Sequence, residues 1–193
     1  INDGVIKYPD LPKSLNDINV DLTIKNPGGN ADLTTVDLSK FHFELGNNPF
    51  DALLKVTTPI SNATIDAMLK GTVNLNSLKE ALPLDSISLA GIINADLSIA
   101  TDMKAIETAA YETIKANGAL GLNSFTFESS DFPQGVIIPE AKLAFSPKAV
   151  VLNPLKVNVG KSDFDITGNV ENYLAYALSD GTLIGKVTLA SNL

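Results

Sequence analysis

Apolar and polar residues alternate one for one through segment after segment of this 193-residue chain, and no other feature restricts its fold as much. A period of two marks a strand with one covered face and one wet face. Over 18–24 the apolar set is Ile18, Val20, Leu22 and Ile24, with Asn19, Asp21 and Thr23 on the other side. Over 65–75 it is Ile65, Ala67, Leu69, Gly71, Val73 and Leu75; over 87–99 it is Ile87, Leu89, Gly91, Ile93, Ala95, Leu97 and Ile99. Further strands are predicted at 119–128, 136–145, 149–159, 161–170 and 182–190, and another begins near Thr35 after an Asn26-Pro-Gly-Gly29 turn. In that strand Val36 and Leu38 are out of phase with Phe41, Phe43 and Leu45, and a β-bulge between them restores one common face.

Helical spacing is rarer. Met103, Ile106, Ala110 and Ile114 fall on one stripe, Asp102 can cap it and Asn117-Gly118 can stop it, which predicts a helix over about 102–116. Shorter helical turns are predicted at 77–82, ended by Pro83, and near 171–178. A five-residue unit, apolar-x-Gly-x-apolar, recurs at Leu69–Val73, Leu89–Ile93, Ile166–Val170 and Leu183–Val187, with a looser copy at Ala116–Leu120. Glycine weakens a strand, so its return at the same place marks sharp coiling or close backbone approach. Chance recurrence among 13 glycines is the competing explanation. The fold class expected is mainly β with a few short helices (α+β). Its centre is a twisted, curved antiparallel sheet whose apolar face is closed over by helices or left partly open as an apolar groove.

With 45% hydrophobic residues the chain can bury a sizeable core, and no run approaches the roughly 20 apolar residues of a spanning helix. A net charge of −8 opposes binding to phosphate backbones, so nucleic acid is not an expected partner. Without Cys there is no disulfide framework, thiolate site or thiol nucleophile. The one histidine, His42, rules out His-rich metal sites, and in Phe41-His-Phe-Glu44 it points away from both rings, as a surface residue. There is no Gly-x-Ser-x-Gly elbow. Gly160-Lys-Ser162 matches the tail of a phosphate-binding loop, but Leu155 stands where its first glycine belongs. Asp163 and Asp165 share one side of a strand about 7 Å apart. That spacing suits an acid–base pair or a hard cation, yet it is also where a half-solvated strand puts its polar residues. Asn62-Ala-Thr64 is a weakly specific glycosylation sequon. No catalytic residue, metal site or cofactor is therefore expected.

Tyr8-Pro-Asp-Leu-Pro-Lys-Ser-Leu-Asn-Asp-Ile18 leading into Val20-Asp-Leu-Thr-Ile-Lys-Asn-Pro-Gly28 resembles the periplasmic region of AsmA family proteins. So do Asn48-Pro-Phe-Asp-Ala-Leu-Leu54, Lys70-Gly-Thr-Val-Asn-Leu-Asn-Ser-Leu78, Ser162-Asp-Phe-Asp-Ile-Thr-Gly-Asn-Val170, Leu174-Ala-Tyr-Ala-Leu178 and Gly185-Lys-Val-Thr-Leu189. The resemblance covers nearly the whole chain. It implies a Gram-negative inner-membrane protein, related to TamB, whose β-rich body lies in the periplasm and serves outer-membrane biogenesis by carrying phospholipid acyl chains along a β-groove. It brings no catalytic residues. Residues 1–193 are then expected to be one section of a longer protein, since the chain opens at Ile1 rather than Met. The membrane anchor would lie outside it, and another strand pair would follow Leu193. Sub-repeats of about 1–101 and 118–193 are joined by the helix at 102–116.

The residues expected to face an acyl ligand are Leu69, Val73, Leu89, Ile93, Phe164, Ile166, Leu183 and Val187; a closed core would use the same side chains. The alternative is a structural or interaction module resembling the β-sandwich of late-embryogenesis-abundant proteins, suggested by the strand and Asn-Pro turn at Val20–Gly29.

Overall fold

The computed structural model describes residues 1–84 and 87–191; Leu193, the last residue of the expected section, lies outside them. Among the described residues there are eleven strands: β1 (Gly4–Lys7), β2 (Ser14–Lys25), β3 (Thr35–Leu45), β4 (Asn48–Thr57), β5 (Thr64–Asn74), β6 (Ile87–Asp102), β7 (Lys115–Ser129), β8 (Phe132–Phe145), β9 (Ala149–Val159), β10 (Ser162–Glu171) and β11 (Ile184–Ala190). Three short helices interrupt them, α1 (Leu75–Lys79), α2 (Met103–Glu107) and α3 (Tyr173–Leu178). All eleven strands belong to one sheet in strict sequence order, each antiparallel to the next. The fold is mainly β, as the alternation implies, and the strands join one sheet rather than the two packed sheets of a sandwich.

Short links make this meander. Gly46-Asn47 and Gly160-Lys161 turn β3 into β4 and β9 into β10, with Leu45 opposite Asn48 and Val159 opposite Ser162. Gly46 and Gly160 have φ of 65° and 58°, which a two-residue hairpin needs at its first position. The phase change in β3 is a bulge: the ladder with β4 skips between Leu38 and Phe41, so both face the same way. Two strands, β1 and β4, were not among those predicted from alternation.

The helix expected at 102–116 is corrected to five residues. Asp102 does cap it, accepting from the Ala105 N–H. The chain then turns left-handed at Ala109, φ 52°, not at Asn117-Gly118. Ala110 N–H donates to the Ala105 carbonyl and Ala109 N–H to that of Ile106, the paired bonds of a Schellman stop. Asn117 and Gly118 lie inside β7. The apolar stripe nevertheless converges: Ile106 and Ile114 are buried in one cluster with Leu174 and Ala175 of α3, against Met103 and Ala110.

The glycine unit is structural in four of its five copies. Gly71, Gly91, Gly118 and Gly168 all sit inside strands with φ between 107° and 151°. At Gly118 an added Cβ would collide with the Asp96 carbonyl oxygen, and at Gly168 with that of Lys186. These glycines let neighbouring backbones close where no side chain fits. Gly185 is different, with open space around it and Leu183 outside β11, so the fourth copy does not share the geometry.

Candidate functional site

Residues directly opposite each other in adjacent strands share a face. Phe43, Phe50, Gly71, Ala95, Leu120, Leu143, Leu152, Gly168 and Val187 make one unbroken row from β3 to β11. Beside it run Val73, Ile93, Leu122, Ala141, Leu155, Ile166 and Leu189, from β5 to β11. A third row carries Val20, Phe41, Ala52, Leu69, Leu97, Gly118 and Phe145. The bulge in β3 keeps the rows in phase, and the Phe50 ring lies over Gly71, filling the space its missing side chain leaves.

Of the residues expected to face a ligand, Leu69, Val73, Leu89, Ile93, Phe164 and Ile166 are half-buried on this face, and Val187 is 50% exposed. None is sealed. Leu183 precedes β11 and is not in the rows. Phe43, Phe50, Leu97, Leu120 and Leu143 belong to the same face and were missed: Leu120 closes the looser glycine copy, and the other four lie outside the glycine unit and join the face only through register.

Helices stand at both ends of the strands. α1 leaves β5 at one end; α2 and α3 follow β6 and β10 at the other, where they pack over Ile99 and Ala116. Next to α3 the face holds a pocket of about 420 Å³, lined by Leu38, Leu54, Leu69, Leu97, Phe145 and Tyr173 among others. The Tyr173 hydroxyl donates to the Ser146 carbonyl at 3.0 Å and its ring meets Phe145 edge-on, which fixes that wall. Burial raises the Tyr173 pKa above its ordinary value.

The opposite face is laddered with charge. Lys55 stands between Asp37 and Asp66, and Lys70 between Asp51 and Asp96, the last pair 3.3 Å apart. His42 lies there too, away from Phe41 and Phe43, but it is held rather than free: Nδ1 is 2.7 Å from Asp51 and Nε2 3.2 Å from Asp17. The hydrogen bond to Asp51, helped by the charges of Asp51, Asp17 and Glu44, raises its pKa despite some desolvation.

Asp163 and Asp165 stand opposite Asn158 and Lys156 of β9, and neither lines the pocket beside α3. Asn62, the first residue of the sequon, ties the start of α2 to the preceding loop, donating to Asp102 at 3.1 Å and accepting from the Lys104 N–H at 2.8 Å. No family model, curated protein or solved structure matches the chain.

Proposed function

We propose that this chain is a section of a non-enzymatic, AsmA-like envelope protein of the periplasm, and that its apolar sheet face forms a groove that accommodates phospholipid acyl chains. The observation carrying the proposal is one apolar row that runs unbroken across nine strands, flanked by two shorter ones, with none of the five expected residues on them, Leu69, Val73, Ile93, Ile166 and Val187, sealed. Eight inter-strand steps at about 4.8 Å give roughly 38 Å of apolar surface measured along the sheet. A bilayer's hydrocarbon core of about 30 Å allots roughly 15 Å to each acyl chain. The face is therefore long enough for more than one chain length, as transport along it requires.

Energetics favour a long face over a single pocket. A chain of about 16 methylenes gains roughly 13 kcal/mol if fully covered, while association costs about 4–15 kcal/mol. A ligand touching only the pocket beside α3 gains a fraction of this, so tight binding needs contact over several strands. Among the described residues no helix is long and apolar enough to cross a membrane, and membrane association in this reading runs through an anchor elsewhere in the protein. Outer-membrane biogenesis is the process this reading assigns.

Native mass spectrometry of the gently purified chain, and of delipidated chain incubated with phosphatidylethanolamine vesicles, tests the reading. Bound phospholipid is expected, with at least a tenfold loss in Leu120→Glu and Leu97→Glu. Uptake of no phospholipid, or equal uptake by the variants, overturns it.

A further inference from the structure

The polar face at β2, β3 and β4 gathers more carboxylates around His42 than one imidazole can satisfy. Asp51, directly across on β4, takes Nδ1 at 2.7 Å, which turns Nε2 toward Asp17 Oδ2 at 3.2 Å. Glu44 lies two residues along β3 and so on the same face. One donor atom from each of Asp17, His42 and Glu44 falls within 4.8 Å of the other two. An imidazolium has two N–H groups, and with Asp51 and Asp17 on them neither is left for Glu44.

We propose that Asp17, His42 and Glu44 bind a divalent transition-metal cation, with Zn²⁺ the ion the donor set fits, and that Asp51 and Asn19 hold the ligands in place. A single histidine excludes His-rich sites but suffices for a mixed nitrogen and oxygen site. Calcium and magnesium prefer all-oxygen shells, so an imidazole at the centre argues against them. Two donors about 2.1 Å from a tetrahedral ion stand roughly 3.4 Å apart, close to the 3.2 Å between Nε2 and Asp17. Glu44 closes the remaining gap by side-chain rotation, and water completes the shell.

Both of the nearer ligands are already oriented from behind. Asp51 on Nδ1 is the carboxylate–histidine arrangement that fixes the tautomer and presents Nε2 to a metal. Asn19, only 5% exposed, donates to the Asp17 carbonyl at 2.9 Å and to Oδ1 at 2.5 Å, leaving Oδ2 for the ion. Asp17 itself sits at φ 47° where the β2–β3 ladder skips between Asn16 and Asn19, and this bulge aims its side chain across β3. The ion would staple β2 to β3 at the bulge. It lies on the face opposite the apolar rows, so it stands independently of the lipid reading.

Titration calorimetry of the metal-stripped full chain with ZnCl₂ at pH 7.5 tests this. One ion per chain with a micromolar Kd is expected. His42→Ala and Glu44→Gln should each weaken binding at least tenfold and Asp51→Asn about tenfold, while Asp165→Asn, far from the cluster, leaves it unchanged. Circular dichroism shows whether each variant keeps its strand signal, and Glu44→Gln serves if His42→Ala does not fold. No uptake at 100-fold excess over a micromolar Kd, or equal binding by wild type, His42→Ala and Glu44→Gln, overturns the proposal.

Discussion

The same aliphatic residues behave differently at the end of the sheet and along its middle. Under α2 and α3, Ile106 is 2% exposed and Ile114 4%, packed with Leu174 in a closed cluster. Along the central rows Leu69, Leu97, Leu120 and Leu143 stay half-covered. At the closed end side chains hold one another. In the middle, order comes from the backbone ladder and from glycines that let strands approach. A face can thus be left apolar and open without being loosely built.

The sharpest way to break this comparison is to put a side chain where the open region relies on having none. Gly118→Val should destabilise by about 1–3 kcal/mol for a strained positive φ and by about 1–3 kcal/mol more for displacing the Asp96 carbonyl; denaturant unfolding reads the sum. Gly185→Val, the sequence-equivalent change, should leave the midpoint nearly unchanged, since nothing lies within 4 Å of its Cβ position. Next, Ile106→Ala at the closed end should cost about 2–5 kcal/mol without altering phospholipid uptake.

Leu120→Ala should do the reverse. Its stability loss is about 1–2 kcal/mol, less than the full range for a sealed leucine, but uptake should fall severalfold. Equal effects of Ile106→Ala and Leu120→Ala on both measurements would erase the distinction between the regions. The smallest effect belongs to the cap of α2. Asp102 has its pKa held below the ordinary 3.8 by the Ala105 N–H and the Asn62 amide. The stability it contributes is present above that value and lost as pH falls through the lower folded pKa. Asp102→Ala should lower Tm slightly at pH 7, and the difference from wild type should shrink in acid below pH 3.8.

Most strands were legible because alternation is local. β4 was not among those predicted, although Phe50, Ala52, Leu54 and Val56 alternate. The long helix, by contrast, was over-read. Its stripe of Met103, Ile106, Ala110 and Ile114 is a true packing pattern, but it is met by a helix, a turn and a strand entering one cluster. Nothing in local spacing announces the left-handed turn at Ala109, which a non-glycine residue rarely makes. The gathering of Asp17 with His42 was beyond reach for a different reason. It depends on a bulge and on strand register, neither of which is written in spacing along the chain. The candidate ligand face was partly legible through the glycine unit, which led to Leu69, Val73 and Ile166 but also to Leu183, outside the rows.

The unbroken order from β1 to β11 has a consequence for how the molecule is acquired. Every strand's hydrogen-bonding partners are the segments just before and just after it, so contact order stays low for an all-β arrangement and no strand waits for a distant one. Stability then approaches a sum over nearest-neighbour interfaces, as in a one-dimensional chain of coupled units. Such a sheet can grow as it is translated, one hairpin at a time, and evolution can lengthen or shorten it by pairs of strands without rethreading the rest.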